Sequence, residues 1–230
     1  MPAPEPSSAL PHLDETAAAT SRYLEALTVL TDEDMRAPSL LPGWSRGHVV
    51  THVARNADGL RNLLVWARTG VETPQYPSWE QRNRDIDSGA DRPHATLLAD
   101  SRASAERFLD EVANVTGEQW EVPVRTLSSD RFFPARDVLK SRRTEVEVHH
   151  ADLGAGYSPA DWSEDFVRIA DRPGAGRPGG RPLDGSLLDR HRRPVEVRAR
   201  SGPRDHRPGG RAGLVVDRPR RRCRTRVLRR

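Results

Sequence analysis

Three residues in two distant segments have the types and spacing of metal ligands. Glu145 and His149 are four residues apart, which puts both side chains on one face of a helix, one turn apart. His52 stands three residues after Val49 and eight before Leu60, on the apolar side of another helical segment. One carboxylate and two imidazoles are a common ligand set for zinc, in which a further position stays open to water or substrate. These three residues are therefore candidate metal ligands.

Spacing alone leaves other interpretations open. A glutamate and a histidine four residues apart on a helix are often a solvated pair, and a buried imidazole needs only a hydrogen bond to be tolerated. His48, four residues before His52, competes as a ligand, although its place beside the helix start also suits an exposed residue. Asp152, three residues after His149, is placed to accept the remaining ring N–H of a ligating imidazole. Two further polar residues lie off this helix face and are predicted to be at the surface: Glu147 and His150.

Four amphipathic segments, each with apolar residues at helical spacing, must position these side chains. The predicted helices run over residues 14–30, 45–70, 95–115 and 134–154, with a short fifth helix over 159–170. Ser45 is a suitable N-cap and Pro134 a suitable first helical residue, while Gly70 and Gly154 suit left-handed helix ends. Residues 72–92 are proline-rich and polar and are predicted to form a connecting loop. Because no strand-like alternation interrupts them, the segments predict an all-α four-helix bundle.

The chain consists of two parts of different composition that meet near Ala170. Residues 1–170 contain 18 Arg and Lys against 27 Asp and Glu, a net charge of −9, and hold every Phe, Trp and Tyr. Residues 171–230 contain 19 Arg and no Lys against 6 acidic residues, a net charge of +13. The overall charge of +4 is therefore a cancellation. We predict a bundle domain over 1–170 and a low-complexity basic tail over 171–230.

Signals for export and for membrane insertion are missing from the sequence. The single cysteine, Cys223, excludes an internal disulfide framework and suits a reducing compartment. The first residues, MPAPEPSSALPHLDE, lack the basic start and apolar run of a secretory signal. No stretch approaches the roughly 18–20 apolar residues that a membrane span requires. We expect a cytoplasmic protein without a membrane partner, and the sequence does not indicate an oligomeric state.

Two segments carry most of the motif information, LPGWSRGHVVTHVARNADG and RRTEVEVHHADLG. They resemble the PGW…GHV…H(L/V)AR and R…EV.VH..DLG segments of the mycothiol-dependent maleylpyruvate isomerase family, within the DinB-like bundle superfamily. The two stand in the family's order and at about its spacing, with a Trp-containing loop between them. The match covers most of residues 1–170. The resemblance places the family's metal ligands on His52, Glu145 and His149.

The resemblance implies zinc-dependent thiol chemistry with mycothiol as the thiol cofactor. The ion lowers the pKa of the thiol, so that a thiolate exists at neutral pH. This thiolate adds to the cis double bond of maleylpyruvate, the new single bond rotates, and elimination gives fumarylpyruvate. Transfer of the thiol to other electrophiles and a non-catalytic metal-binding bundle are alternatives. Three arginines are candidates to position substrate carboxylates, although each also suits the surface: Arg46, Arg55 and Arg142.

The basic tail, residues 171–230, invites a nucleic-acid interpretation, because clustered arginines neutralise phosphates. It has no aromatic residue for base stacking, no helical period and no repeat, which argues against that interpretation. Arginine without lysine, mixed with proline and glycine, is typical of GC-rich DNA translated in the wrong frame. We therefore interpret the tail as a disordered or non-native segment, the frameshifted remnant of a C-terminal domain. Because that domain is implied to complete the substrate site, its loss could leave a chain that binds metal without activity.

Overall fold

The structure, a computed structural model, describes residue 10 and residues 12–170, which are mainly helical. The predicted tail lies outside these residues. Two two-residue strands, β1 and β2, form a small antiparallel pair. The all-α prediction is thus confirmed. The elements are α1 (Leu13–Thr28), α2 (Asp32–Arg36), α3 (Arg46–Thr69), α4 (Trp79–Ala90), α5 (His94–Asn114), β1 (Pro123–Val124), β2 (Phe133–Pro134), α6 (Asp137–Asp152) and α7 (Glu164–Ala170).

The four long helices α1, α3, α5 and α6 form the predicted bundle, with α3 at its centre. Helix α3 packs against α4, α5 and α6, and α1 packs against α5 and α6. Two apolar clusters fill the interior, one around Leu64 and Phe108 and the other around Leu27, Val53 and Val146. No helix in the described part of the chain is long and apolar enough to cross a membrane.

Helix α3 begins and ends where the sequence predicts. The Ser45 hydroxyl accepts the backbone N–H of His48, and the His48 ring accepts the Ser45 N–H in return, which closes a capping box. Gly70 ends the helix with a φ of 72°, a left-handed conformation that glycine adopts without a Cβ penalty. The apolar side of α3 is fully buried, and this burial directs His52 inward.

The loop predicted over residues 72–92 is wrong in its second half, because this half forms helix α4. Ser78 caps α4 by accepting the Gln81 N–H, and Ile86 is its one large buried aliphatic residue. With a single such residue, the apolar period that reveals the other helices is too weak to detect. Helix α4 instead approaches α3 closely through glycine. A Cβ on Gly47 would lie 2.1 Å from the Ala90 carbonyl oxygen.

The predicted starts of the last two helices also need correction. Pro134 lies in β2 opposite Pro123 of β1, and α6 begins only at Asp137. The Ala135 N–H donates to the Val122 carbonyl, so the chain before α6 is held by this small sheet. The predicted fifth helix is divided into a 3-10 turn at Pro159–Asp161 and helix α7. Gly154 after α6 is left-handed, as predicted, with a φ of 61°.

Candidate metal centre

Helices α3 and α6 bring His52, Glu145 and His149 together at one point inside the bundle. The Nε2 atom of His52 lies 3.1 Å from Nε2 of His149 and 3.2 Å from Oε2 of Glu145. The third distance, between His149 Nε2 and Glu145 Oε2, is 3.4 Å. Within the described residues these three form the cluster of histidine, cysteine and acidic side chains that could hold a metal ion.

The three distances fit one small ion. Ligands about 2.05 Å from a tetrahedral zinc are separated from one another by roughly 3.3 Å, close to each of the three observed values. His52 is 0% exposed and His149 3%, so both imidazoles are removed from bulk water. The Glu145 side chain is 17% exposed, which makes its side of the cluster the one open to solvent. Three candidate ligands with one accessible side would suit a catalytic rather than a structural metal site.

Each imidazole has a different group behind it. Asp152 Oδ2 lies 2.8 Å from Nδ1 of His149, as the sequence predicts, and this contact directs Nε2 of His149 towards the cluster. Behind His52 stands a guanidinium instead, with Arg82 Nη2 3.0 Å from Nδ1. The Trp44 ring packs edge-on against His52, with 5.7 Å between the ring centroids, and covers it from water.

The electrostatics of the two imidazoles are opposite. Burial, followed by the positive charge of Arg82, holds the pKa of His52 well below its usual value. Burial also opposes protonation of His149, but its hydrogen bonds with Asp152 and Glu145 outweigh this effect and raise its pKa to about 9. His52 is therefore the neutral imidazole of the cluster, whereas His149 holds its proton more strongly than a free imidazole does.

The other candidates from the sequence are engaged elsewhere. His48 stacks on Trp44 and caps α3. Arg46 donates to the carbonyls of Leu153 and Gly154 at the end of α6. Arg55 pairs with Asp100 on α5 at 2.5 Å. Arg142 is buried, contrary to the surface alternative, and donates to the Val53 carbonyl and the Asn56 side chain.

The surface prediction for Glu147 and His150 is wrong, because both are buried against the chain that follows α6. Glu147 accepts from Arg22 at 2.7 Å and from the Tyr157 hydroxyl at 2.5 Å. The His150 ring stacks on Tyr157 with 3.9 Å between centroids. Tyr23 packs edge-on against His150 from the other side. Helix α6 therefore buries polar residues on two faces, and a period analysis that assumes one apolar face cannot detect this.

We expect Tyr157→Phe to destabilise the protein by about 2 kcal/mol, because it removes a part-buried hydrogen bond to a buried carboxylate while keeping the ring stack. Tyr23→Phe is the matched control, since the Tyr23 hydroxyl is buried and has no hydrogen-bond partner among the described residues. Urea unfolding of the two variants measures the difference. Equal free energies of unfolding for both would contradict a stabilising Tyr157–Glu147 bond.

Comparisons with known proteins match the part of the chain that contains both site-bearing helices, α3 and α6. The family model described as "Mycothiol maleylpyruvate isomerase N-terminal domain" matches residues 16–154. The crystal structure of the mycothiol-dependent maleylpyruvate isomerase is similar at 35% identity and a TM-score of 0.67, over 70% of this chain and 67% of that one. The crystal structure of the H52A mutant of the mycothiol-dependent maleylpyruvate isomerase is similar at 34% identity, with the same TM-score and coverage. No curated protein matches. Since the matched residues span more than half of the chain and both site-bearing helices, the chain belongs to the mycothiol maleylpyruvate isomerase N-terminal domain family.

Proposed function

We propose that this chain is a zinc-dependent isomerase that uses mycothiol to convert maleylpyruvate to fumarylpyruvate. The observation that carries the proposal is the meeting of His52, Glu145 and His149 at 3.1–3.4 Å in a chain of this family. Two imidazole nitrogens and one carboxylate oxygen are a ligand set found in catalytic zinc sites.

A divalent ion held there would lower the pKa of a thiol, and mycothiol would supply the thiol that adds to, and later leaves, the cis double bond. The chain's own residues perform the remaining tasks. With an ion bound, His52 and His149 would each supply an unprotonated Nε2 from the buried side, which for His149 means that the ion displaces the proton favoured by its raised pKa. Asp152 would fix the orientation of His149. Glu145 stands at the accessible side and supplies the one negative charge among the three ligands. Trp44 limits the water around His52.

The test is an isomerisation assay on the full chain reconstituted with zinc. We expect maleylpyruvate to be consumed and fumarylpyruvate to form only when both zinc and mycothiol are present. Conversion that survives removal of zinc with a chelator contradicts the proposal. Consumption of other electrophiles, with no isomerisation, favours the transferase alternative. Zinc binding without turnover of any thiol substrate favours a non-catalytic bundle or a chain inactivated by the loss of its C-terminal domain.

We expect Asp152→Asn to weaken zinc binding by roughly 10–100-fold, because an amide is a poorer acceptor for the Nδ1–H of His149 than a carboxylate. Competition with a fluorescent zinc chelator measures the affinity. Asp161→Asn is the matched control, since Asp161 is an exposed carboxylate beyond α6 that caps the local turn. Unchanged zinc affinity in Asp152→Asn would remove Asp152 from the site.

We also propose that residues 171–230 are the frameshifted remnant of a C-terminal domain. The support is the change from a net charge of −9 to one of +13 at residue 170 and the loss of every aromatic residue beyond it. Sequencing the gene through this region in several isolates tests the idea. An intact reading frame in all of them would reject it.

A further inference from the structure

Tyr76 lies beside the candidate metal centre, in the segment between α3 and α4. Its ring packs on the backbone of α3 at Gly59, where a Cβ would lie 3.0 Å from Cε1 of Tyr76. Gly59 follows His52 by about two helical turns and is therefore on the same face of α3. Arg82, which contacts His52 from α4, has its Cζ 5.8 Å from the centre of the Tyr76 ring. Contacts with both neighbouring helices thus fix the ring next to the cluster.

The Tyr76 hydroxyl is a neutral group in a charged environment. Tyr76 is only 8% exposed, and burial raises the pKa of its hydroxyl to about 12. The negative charge of Glu145 acts on this pKa in the same direction. The hydroxyl is therefore within electrostatic reach of Glu145, the candidate ligand on the side of the cluster that is open to solvent. A phenol that keeps its proton at neutral pH can act there as a hydrogen-bond donor.

Two donor groups face the oxygen of this hydroxyl. Arg82 and Asn56 both lower the pKa of Tyr76 through hydrogen bonding, which is the effect of groups that donate to the oxygen. A guanidinium has no acceptor atom, so Arg82 can only donate. The Asn56 amide is oriented for the same role, because its Oδ1 accepts from Nη1 of Arg142 at 3.1 Å and its Nδ2 remains as the donor. The Tyr76 proton is therefore directed at neither residue.

We propose that the Tyr76 hydroxyl donates a hydrogen bond to the ketone oxygen of the substrate, an inference that rests on the proposed function. In maleylpyruvate this ketone is conjugated with the cis double bond. As a sulfur–carbon bond forms at the far end of the double bond, the electron pair of that bond moves towards the ketone and leaves negative charge on its oxygen. The pair returns when the sulfur–carbon bond breaks. A donor fixed at this oxygen stabilises the charged state more than the neutral ketone, and Tyr76 keeps its proton throughout.

The other two tyrosines of the chain have different contacts. Tyr157 donates to Glu147, and Tyr23 packs edge-on against His150. Neither Glu147 nor His150 belongs to the metal cluster. Tyr23→Phe is therefore a matched control for Tyr76→Phe, since each removes one buried hydroxyl and keeps the ring.

The first experiment measures how the full chain, in the presence of zinc, binds levulinate. This ligand has a ketone and a carboxylate at the spacing found in the substrate, but no double bond that could react. The stretching frequency of an isotope-labelled ketone falls when its oxygen accepts a hydrogen bond. We expect a lower frequency with the unmodified chain and with Tyr23→Phe than with Tyr76→Phe, which should also bind levulinate about 5-fold more weakly. Equal frequencies with Tyr76→Phe and the unmodified chain, or no binding by the unmodified chain, overturn the inference.

The second experiment separates this inference from the proposed function. With maleylpyruvate and mycothiol, Tyr76→Phe is expected to lower kcat by about 100-fold and to change KM far less, because the hydrogen bond acts mainly on the charged state. Isomerisation with an unchanged kcat in Tyr76→Phe overturns the inference and leaves the proposed function standing. If levulinate binds as expected but the unmodified chain does not isomerise maleylpyruvate, the ketone-binding role of Tyr76 stands and the proposed function fails.

Discussion

Replacing His52 or His149 with alanine is expected to reduce the zinc affinity of the chain by at least about 100-fold. The effect should exceed the roughly 10–100-fold range typical of residues that only orient a ligand, because each imidazole would supply a ligand atom itself in the proposed zinc site. Both rings are buried and only 3.1 Å apart, so no other described histidine can take the place of a lost one without moving a helix. The expected zinc content is about one ion per unmodified chain and close to none in either variant after dialysis.

His48→Gln is the matched control for this prediction. His48 lies on the same helix as His52 but caps its N-terminus, and glutamine at this position can maintain the capping box. Zinc content should therefore stay unchanged in His48→Gln. Circular dichroism should show equal helix content in all three variants. Equal zinc content in His52→Ala and in the unmodified chain would remove the candidate metal centre and, with it, the proposed function.

Gly47→Ala is expected to lower the free energy of unfolding by about 2–3 kcal/mol, although alanine is the better helix former. A Cβ at this position would lie 2.1 Å from the backbone carbonyl oxygen of Ala90. A backbone atom cannot rotate away as a side chain can, so α3 and α4 must separate. For a domain of this size the loss corresponds to a fall in melting temperature of roughly 5–10 °C.

Thermal unfolding of Gly47→Ala beside Asp87→Ala tests this prediction. Asp87 is an exposed residue of α4, and its substitution should change the stability by less than about 0.5 kcal/mol. A melting temperature equal to that of Asp87→Ala would show that the two helices can separate without cost.

The bundle could be predicted from the sequence because α1, α3 and α5 each bury apolar residues that recur at helical spacing. Ser45 and Gly70 mark the ends of α3 by local chemistry that does not depend on the rest of the fold. Helix α4 could not be predicted in this way, since Ile86 is its one large buried aliphatic residue and close backbone contact replaces apolar burial. A contact between two backbones that approach only in the folded protein leaves no apolar period in the sequence.

The candidate site also has parts that could be predicted from the sequence and parts that could not. The spacing of Glu145 and His149 and the apolar position of His52 are local properties, so they made the three candidates, together with Asp152. The resemblance to the family then selected them as ligands over alternatives such as His48. The contact of Arg82 with His52 joins residues 30 positions apart through a helix that was not predicted. The serine before α4 and the glycines at its contact with α3 were the available signals. The burial of Glu147 depends on Tyr157 and Arg22, which lie on other elements.

Helix α6 is held in the bundle by charged and polar groups as much as by apolar ones. Its buried polar residues each have a specific role or contact: Arg142, Arg143, Glu147, His149, His150 and Asp152. Such residues should show strong epistasis, because the loss of one partner leaves the other buried without its charge or hydrogen bond. Arg22 and Glu147 are the clearest pair, and the double variant should be more stable than the sum of the single losses indicates. Sequence change in α6 is therefore expected to proceed by coupled substitutions, whereas the apolar face of α3 can accept hydrophobic exchanges one at a time.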